Sequence, residues 1–319
     1  MIAGKGSGAM GPLEATNVRL PPATAAARAL TRDLERLLGP GTASCEPADR
    51  WAASHDGSPR SLLWAKAGLA PHPPDAVAWP ATAEQVQAVV RYAVAERVPL
   101  TPVGGGSAGT GAAIPLRGGI ALDLKRLVGA PRIDLDARVV EVEAGVNARR
   151  LEDVLAAAGA SLGHFPWGME SATVGGMLAT RSGGVRAGRS GKIEDLVLGL
   201  EAVDGTGAYL RTEEGPSFGP DLSQLLLGSE GTLAVITRAR LRCWPAPTAS
   251  FSRALRFSSL AAGARVLREL LRSGLRPAVL RLYGPLDALL AGRAPAWRGL
   301  PAPLRLLLGA GQKEALQLA

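Results

Sequence analysis

Val98-Pro-Leu-Thr-Pro-Val-Gly104-Gly-Gly-Ser-Ala-Gly-Thr-Gly111 is the stretch that decides the fold. Val98 to Val103 reads as a buried strand. The glycines that follow expose backbone N–H groups with no side chain in the way, and such a run cradles a phosphate or pyrophosphate. A glycine-rich surface turn is the plainer alternative. Gly104, Gly106 and Gly109 also fit the dinucleotide pattern G-x-G-x-x-G, with Asp123 near the distance of a ribose-binding acid. That pattern needs a helix to open at the loop. The next residues, Gly111-Ala-Ala-Ile-Pro-Leu-Arg-Gly-Gly119, carry a proline and paired glycines, which argue against one. The expected path is a phosphate-cradling loop that passes into a hairpin over Ile120–Leu124.

Working upstream, Ala76-Val-Ala-Trp79 is a short strand that Pro80 breaks. Thr82 caps a helix running to about Arg97, supported by Glu84, with Val86, Val89, Val90, Ala93 and Val94 on one face. Ala70–Asp75 is a linker. Thr24 to Leu38 is a helix pattern with apolar Leu30, Leu34, Leu37 and Leu38 and a Gly39-Pro40 stop. Working downstream, Ile133–Gly145 alternates like a hairpin strand, and Asn147 caps a helix that runs to Gly159. Gly163–Gly191 is rich in Gly, Ser and Thr and predicts little regular structure. Ile193–Val203 reads as a buried strand, with a turn at Asp204-Gly205 and a return strand from Tyr209. A short helix spans Leu222–Leu227, and a strand spans Thr232–Cys243. Trp244–Pro247 is a boundary. Beyond it lie a strand over Phe251–Phe257, a helix over Ser259–Ser273 and a strand over Leu280–Tyr283. The last thirty or so residues, rich in Pro, Leu and Arg, stay unassigned, and no internal repeat is visible.

The totals bound the class. The 319 residues are enough for one large domain or two smaller ones. Apolar content of 47% and charged content of 20% are globular values. The net charge is +8, nearly all of it from arginine spread along the chain. Without a basic block or interleaved aromatics this argues against nucleic-acid binding, and a basic cleft for an anionic cofactor or substrate fits better. Two cysteines and three scattered histidines imply neither a disulfide framework nor a metal site. No apolar run reaches the length of a membrane span, and the first residues lack a signal-peptide core, so a cytoplasmic protein is expected.

Four segments together resemble the FAD-linked oxidase family, the flavoproteins of the vanillyl-alcohol oxidase (PCMH) type. They are Trp79-Pro80 with its helix and the glycine loop; Gly163-His-Phe-Pro-Trp-Gly-Met-Glu-Ser-Ala-Thr-Val-Gly-Gly176; Ala179-Thr-Arg-Ser-Gly-Gly with Gly191-Lys-Ile-Glu-Asp-Leu-Val197; and Gly228-Ser-Glu-Gly-Thr-Leu-Ala-Val-Ile-Thr237. The branch most resembled is the alkyldihydroxyacetonephosphate synthase-like one, with glycolate and D-lactate dehydrogenases next. The resemblance implies an α+β fold: a PCMH-type FAD-binding domain of two α/β subdomains over 76–245. A helical lead-in over 1–75 would precede it, and the truncated start of an α+β cap over 246–319 would follow. It implies FAD as cofactor and a small-molecule substrate, a hydroxy acid or an alkyl-glycerone-phosphate-like compound. Pro102, Val103, Gly104, Gly105, Gly106 and Ser107, with Gly111, would wrap the pyrophosphate. Thr173, Gly175 and Gly176 would lie against the flavin or its ribityl chain, followed by Ala179, Thr180 and Ser182. Glu230, Gly231 and Ile236 would line the adenosine side. The glycines and the Thr232–Ile236 strand read equally well, one by one, as tight turns and core.

The sequence departs from the resembled branch in two ways. Trp167-Gly168 and Ala172 stand where small hydrogen-bonding residues are usual, which leaves cofactor phosphates to backbone donors; Trp167 either packs on a ring or is an ordinary loop tryptophan. The histidines and the catalytic tyrosine that the resemblance places in the cap have no counterpart after His164. Candidates for catalysis are therefore few: His164 and Glu170, from their place in the flavin-facing loop, and Arg281, which matches a cap arginine and suits a phosphate or carboxylate or is a plain strand-end residue. The short cap leaves two further readings open. One is an FAD-binding module without catalysis of its own, forming a homo-oligomer or completed by a partner chain. The other is a reductase of the UDP-N-acetylenolpyruvoylglucosamine type, from which the Ile-Glu-Asp-Leu-Val and Ser-Glu-Gly-Thr-Leu stretches point away. Noncovalent FAD is expected, although His55 and His72 lie upstream of the loop.

Overall fold

A computed structural model of the chain describes residues 20–213, 219–284, 287 and 314–318. The first nineteen residues of the expected lead-in and most of the unassigned C-terminal stretch lie outside the described residues.

The first unit runs through α1 (Ala25–Leu38), β1 (Ala43–Ser44), α2 (Pro47–Ala52), α3 (Pro59–Lys66), β2 (Ala76–Ala78), α4 (Ala83–Ala95), β3 (Leu100–Val103) and β4 (Ile120–Asp123). The hydroxyls of Thr24 and Thr82 accept from N–H groups of their first turns; Thr82 caps α4 as its sequence predicts, and Thr24, expected as the first helical residue, caps α1. Each helix turns one expected core residue outward. Leu37 on α1 and Val94 on α4 are exposed, because the buried stripes centre on Leu34 and Leu38 and on Val86, Val89, Val90 and Ala93.

The sheet order is β1-β2-β4-β3, and β3 pairs with β4 in parallel, Leu100 opposite Ile120 and Val103 opposite Asp123. The hairpin expected after the glycine loop does not form. The connection over 104–119 is long enough to carry the chain back for a parallel crossover without a helix, and β4, buried along its whole length, is one of the two inner strands. The expectation of a buried strand before the glycines is corrected too. β3 is the sheet edge, with only Val103 buried, and Pro102, which lacks a donor, is tolerated there.

The second unit comprises β5 (Arg132–Asp134), β6 (Val139–Glu143), α5 (Ala148–Ala157), β7 (Ala160–Ser161), α6 (Val174–Ala179), α7 (Ala187–Ser190), β8 (Val197–Asp204), β9 (Tyr209–Arg211), α8 (Leu222–Leu226) and β10 (Ala234–Arg242). Its five-stranded sheet is antiparallel, in the order β5-β6-β10-β8-β9. Asn147 caps α5 as predicted. Two expectations change. The stretch 163–191 holds two short helices, the first capped by Thr173. Ile193–Leu196 is a 3-10 turn, because the Asp195 carboxylate folds back to accept the Lys192 N–H at 2.8 Å, so β8 starts at Val197. Val203 of β8 and Val235 of β10 reach into the first unit's core and join the two units.

The boundary at Trp244–Pro247 is bonded back: β11 (Trp244–Pro245) pairs with β7, and the Ala246 N–H donates to the Gly159 carbonyl at 2.8 Å. The last unit contains β12 (Arg253–Phe257), α9 (Leu260–Arg272), β13 (Leu280–Tyr283) and β14 (Glu314–Leu318). The strand–helix–strand order matches the sequence reading. β14, from the unassigned stretch, pairs antiparallel between β12 and β13.

Candidate functional site

The glycine loop leaves the end of β3 at the seam between the two units. A Cβ on Gly104 would overlap Thr173 Oγ1, and one on Gly105 would overlap the Ser171 carbonyl. The glycines thus let the loop lie directly on the 171–176 segment of the second unit. A third segment closes on the same place. Glu230, at φ 51°, donates its N–H to the Ala179 carbonyl at 2.9 Å. Gly231 follows at φ 79°, and a Cβ there would lie 2.9 Å from Pro102 Cγ. A left-handed non-glycine residue at such a junction holds backbone strain that the surrounding contacts must stabilise.

Between these three segments lies a cavity of about 350 Å³. Its lining includes every residue that the sequence singled out for the cofactor except Gly111. Gly111, at φ 86°, instead turns the end of the loop, its carbonyl accepting from the Ile114 N–H at 3.2 Å. The lining also contains residues that the sequence reading did not select. Ala108, Gly109, Thr110, Ala112 and Ala113 extend the loop, and their small size was the available signal. Leu124, Ala144 and Val235 form part of the floor, and no local pattern marks them, because sheet topology brings them together.

The polar character of the cavity comes from backbone. Glu230 carries the only ionisable carboxyl, amine, guanidine or imidazole side chain in the lining among the described residues. Among those residues, no backbone N–H from Gly104 through Ala113 donates to a protein acceptor. A row of unused donors, carried mostly by glycine and alanine so that little side chain screens it, is what an anionic diphosphate needs. The cavity, the small lining residues and the donor row fit FAD. The Asp123 carboxylate is outside the cavity: it accepts from Trp79 Nε1 at 3.2 Å and pairs with Lys125 Nζ at 3.0 Å, so it ties the end of β4 to the residue that follows β2.

The three candidates for catalysis fall in different places. His164 is 2% exposed and does not line the cavity; its Nε2 meets Ser182 Oγ, which does, at 2.9 Å. Burial lowers the His164 pKa to about 4, against a smaller opposing effect of the Glu194 charge, so the ring is neutral near pH 7. Glu170 faces outward and is paired with Arg149 at 2.8 Å. Arg281 stacks its guanidinium 5.2 Å from the ring of Trp167, which is 82% exposed at the cavity edge. Of the other histidines, His55 has both ring nitrogens against carbonyls, Trp51 at 3.0 Å and Leu69 at 2.9 Å, and His72 faces Trp64. Among the described residues no cluster of His, Cys, Asp or Glu could hold a metal, and no helix is long and apolar enough to cross a membrane.

Residues 74–213 match the family described as FAD binding domain. The alkyldihydroxyacetonephosphate synthase of Caenorhabditis elegans is 30% identical over 245 residues, covering 75% of this chain and 41% of that protein. The D-lactate dehydrogenase of Archaeoglobus fulgidus is 41% identical over 170 residues, covering 52% of this chain and 38% of that protein. The chain thus spans about two fifths of the length of these relatives. A solved alkyldihydroxyacetonephosphate synthase superposes with a TM-score of 0.82 at 26% identity, over 96% of this chain and 57% of that one. With the fold, the motifs and these relatives in agreement, residues 74–213 are an FAD-binding domain and the chain is similar to FAD-linked flavoproteins, with FAD as its cofactor.

Proposed function

We propose that the cavity holds FAD noncovalently and that the chain is the flavin-bearing part of an oxidoreductase. In this reading residues 76–245 are the FAD-binding domain and 246–319 begin the substrate cap. The substrate is a small hydroxy acid or an alkyl-glycerone-phosphate-like compound, the classes named by the D-lactate dehydrogenase and alkyldihydroxyacetonephosphate synthase relatives. The observation that carries the reading is the loop Gly104–Ala113, whose N–H groups have no protein acceptor among the described residues and which, Gly111 apart, lines a cavity of suitable size between the two units.

Bound FAD would supply the electron acceptor. The chain's own residues bind and orient. The glycine loop takes the pyrophosphate, Thr173 to Gly176 allow close approach of the flavin or ribityl chain, and Glu230 to Ile236 line the adenosine side. Trp167 offers an exposed ring at the rim, and Arg281 above it is placed to meet a carboxylate or phosphate. Noncovalent attachment is supported by His55, whose ring nitrogens are both engaged by carbonyls.

The test is anaerobic addition of D-lactate, glycolate and an alkyl-glycerone phosphate to the FAD-loaded chain, followed in the visible spectrum. Bleaching by one class supports the oxidoreductase. Loaded protein that none of them bleaches favours the second reading, an FAD-binding module without catalysis of its own. That reading has its own support: neither His164 nor Glu170 reaches the cavity directly.

A further inference from the structure

His164 and Ser182 form a pair that FAD binding by itself does not explain. Ser182 lines the cavity and, among the described residues, its hydroxyl has one protein partner, His164 Nε2 at 2.9 Å. Either atom can donate, and the choice depends on the tautomer. The other ring nitrogen decides it. Nδ1 is buried and has no hydrogen-bond partner. The Gly184 backbone closes over it so tightly that a Cβ there would lie 2.6 Å away. The nearby Glu194 has an unpartnered oxygen as well, Oε2, so the two atoms are not bonded to each other. A buried N–H without an acceptor costs more than a lone pair without a donor, because orphaned donors are the rarer case in folded proteins. The ring therefore carries its proton on Nε2 and donates it to Ser182.

The consequence lies in the cavity. With its oxygen taken by an incoming N–H, the Ser182 hydroxyl turns its own proton outward. Thr180, two residues earlier on the same wall, is wired the other way: its hydroxyl donates to the Gly176 carbonyl at 2.9 Å and offers the cavity only lone pairs. We propose that His164 is a positioning residue that commits Ser182 as a fixed hydrogen-bond donor to an oxygen or nitrogen acceptor of the bound cofactor. This rests on the reading that the cavity takes FAD. The depressed basicity of the buried ring agrees with it, since a neutral His164 keeps one defined tautomer across the physiological range.

The experiment has two arms, both on the full chain. The first uses no cofactor: nitrogen-15 NMR of the histidine rings in the unloaded protein. The proposal expects an Nε2–H tautomer for His164 whose shift changes in Ser182→Ala, and an Nδ1–H tautomer overturns it. The second is FAD affinity by quenching of flavin fluorescence. Ser182→Ala is expected to weaken FAD binding about tenfold, the usual worth of one such hydrogen bond. His164→Met should weaken it by a smaller factor, because the hydroxyl is then free to rotate. His164→Gln, which can still present an N–H, should recover most of the loss. The double variant Ser182→Ala/His164→Met should bind no more weakly than Ser182→Ala alone. Additive losses would assign His164 a merely structural role and overturn the proposal. If the unmodified chain takes up no FAD, the cofactor reading fails, and the NMR arm still decides whether His164 directs the Ser182 proton.

Discussion

Two helices of equal length meet different fates in this molecule. α4 and α9 each have thirteen residues, and each is started by a hydroxyl cap, Thr82 or Ser259. α4 buries Val86, Val89, Val90 and Ala93 between its own sheet and β8 of the second unit. α9 buries only Gly263, where the missing side chain lets it lie on Leu282 and Phe257, and Leu260 and Leu271 stay exposed. The strands repeat the contrast: β10 is buried along most of its length, and β12 is exposed at all but its last residue. Caps and periodicity write a helix locally, whereas burial depends on what the rest of the chain brings to it. The candidate cavity sits between the two units whose cores are buried, which is where atoms can be held in fixed positions.

The largest effect expected is at the seam itself. Gly105→Val sets a side chain into the Ser171 carbonyl, so it should destabilise the chain by about 3 kcal/mol or more and weaken FAD binding by roughly a hundredfold. Urea unfolding and a flavin titration check both numbers, and a tolerated valine would mean that the two units do not meet as described.

Acid provides the next test. The folded pKa of His164, about 4, lies below the ordinary 6.5 of the unfolded chain, so between these values the unfolded state binds the proton more readily. Its contribution is neutral above pH 6.5 and becomes unfavourable as pH falls, reaching about 3 kcal/mol near pH 4. In His164→Met that part of the acid sensitivity should vanish, visible as a flatter profile of stability against pH.

The comparison of the two helices is sharpened by a matched pair of truncations. Val89→Ala on α4 should cost about 2 kcal/mol. Leu271→Ala on α9 should stay within about 0.5 kcal/mol. Equal costs would break the contrast and would mean that the exposed face of α9 is covered in solution. A comparably small effect is expected from Arg281→Ala, which removes the exposed stack on Trp167 and should cost about 0.5 kcal/mol in stability.

Much of this was legible before any coordinates. Thr82 and Asn147 mark helix starts as caps, because a hydroxyl or amide at that position satisfies a donor within its own turn, and the helix patterns beginning at Thr24 and Ser259 set the other two starts, where the structure shows those residues to be caps as well. The glycine run marked the cavity wall, because backbone donors without side chains are a local property. The direction of β4 was not legible, since a long loop can return the chain either parallel or antiparallel and the sequence of β4 is compatible with both. The exposure of β3 was hidden for a similar reason: an edge is defined by a neighbour that is missing, and only Pro102 hinted at it. Segments 163–183 and 228–236 were marked by resemblance alone. Their glycines, taken singly, read as turns, and only the folded chain brings them against the loop. The pairing of His164 with Ser182, eighteen positions apart, had no signal in spacing at all.

The most direct measurement is an equilibrium titration of the purified chain with FAD, followed by flavin fluorescence and then by acid precipitation. The account predicts saturable binding at one site per chain, roughly hundredfold weaker binding in Gly105→Val, and release of all the flavin into the acid supernatant. A chain that stays colourless and leaves flavin fluorescence unchanged, or that binds FAD equally well with valine at position 105, would contradict it.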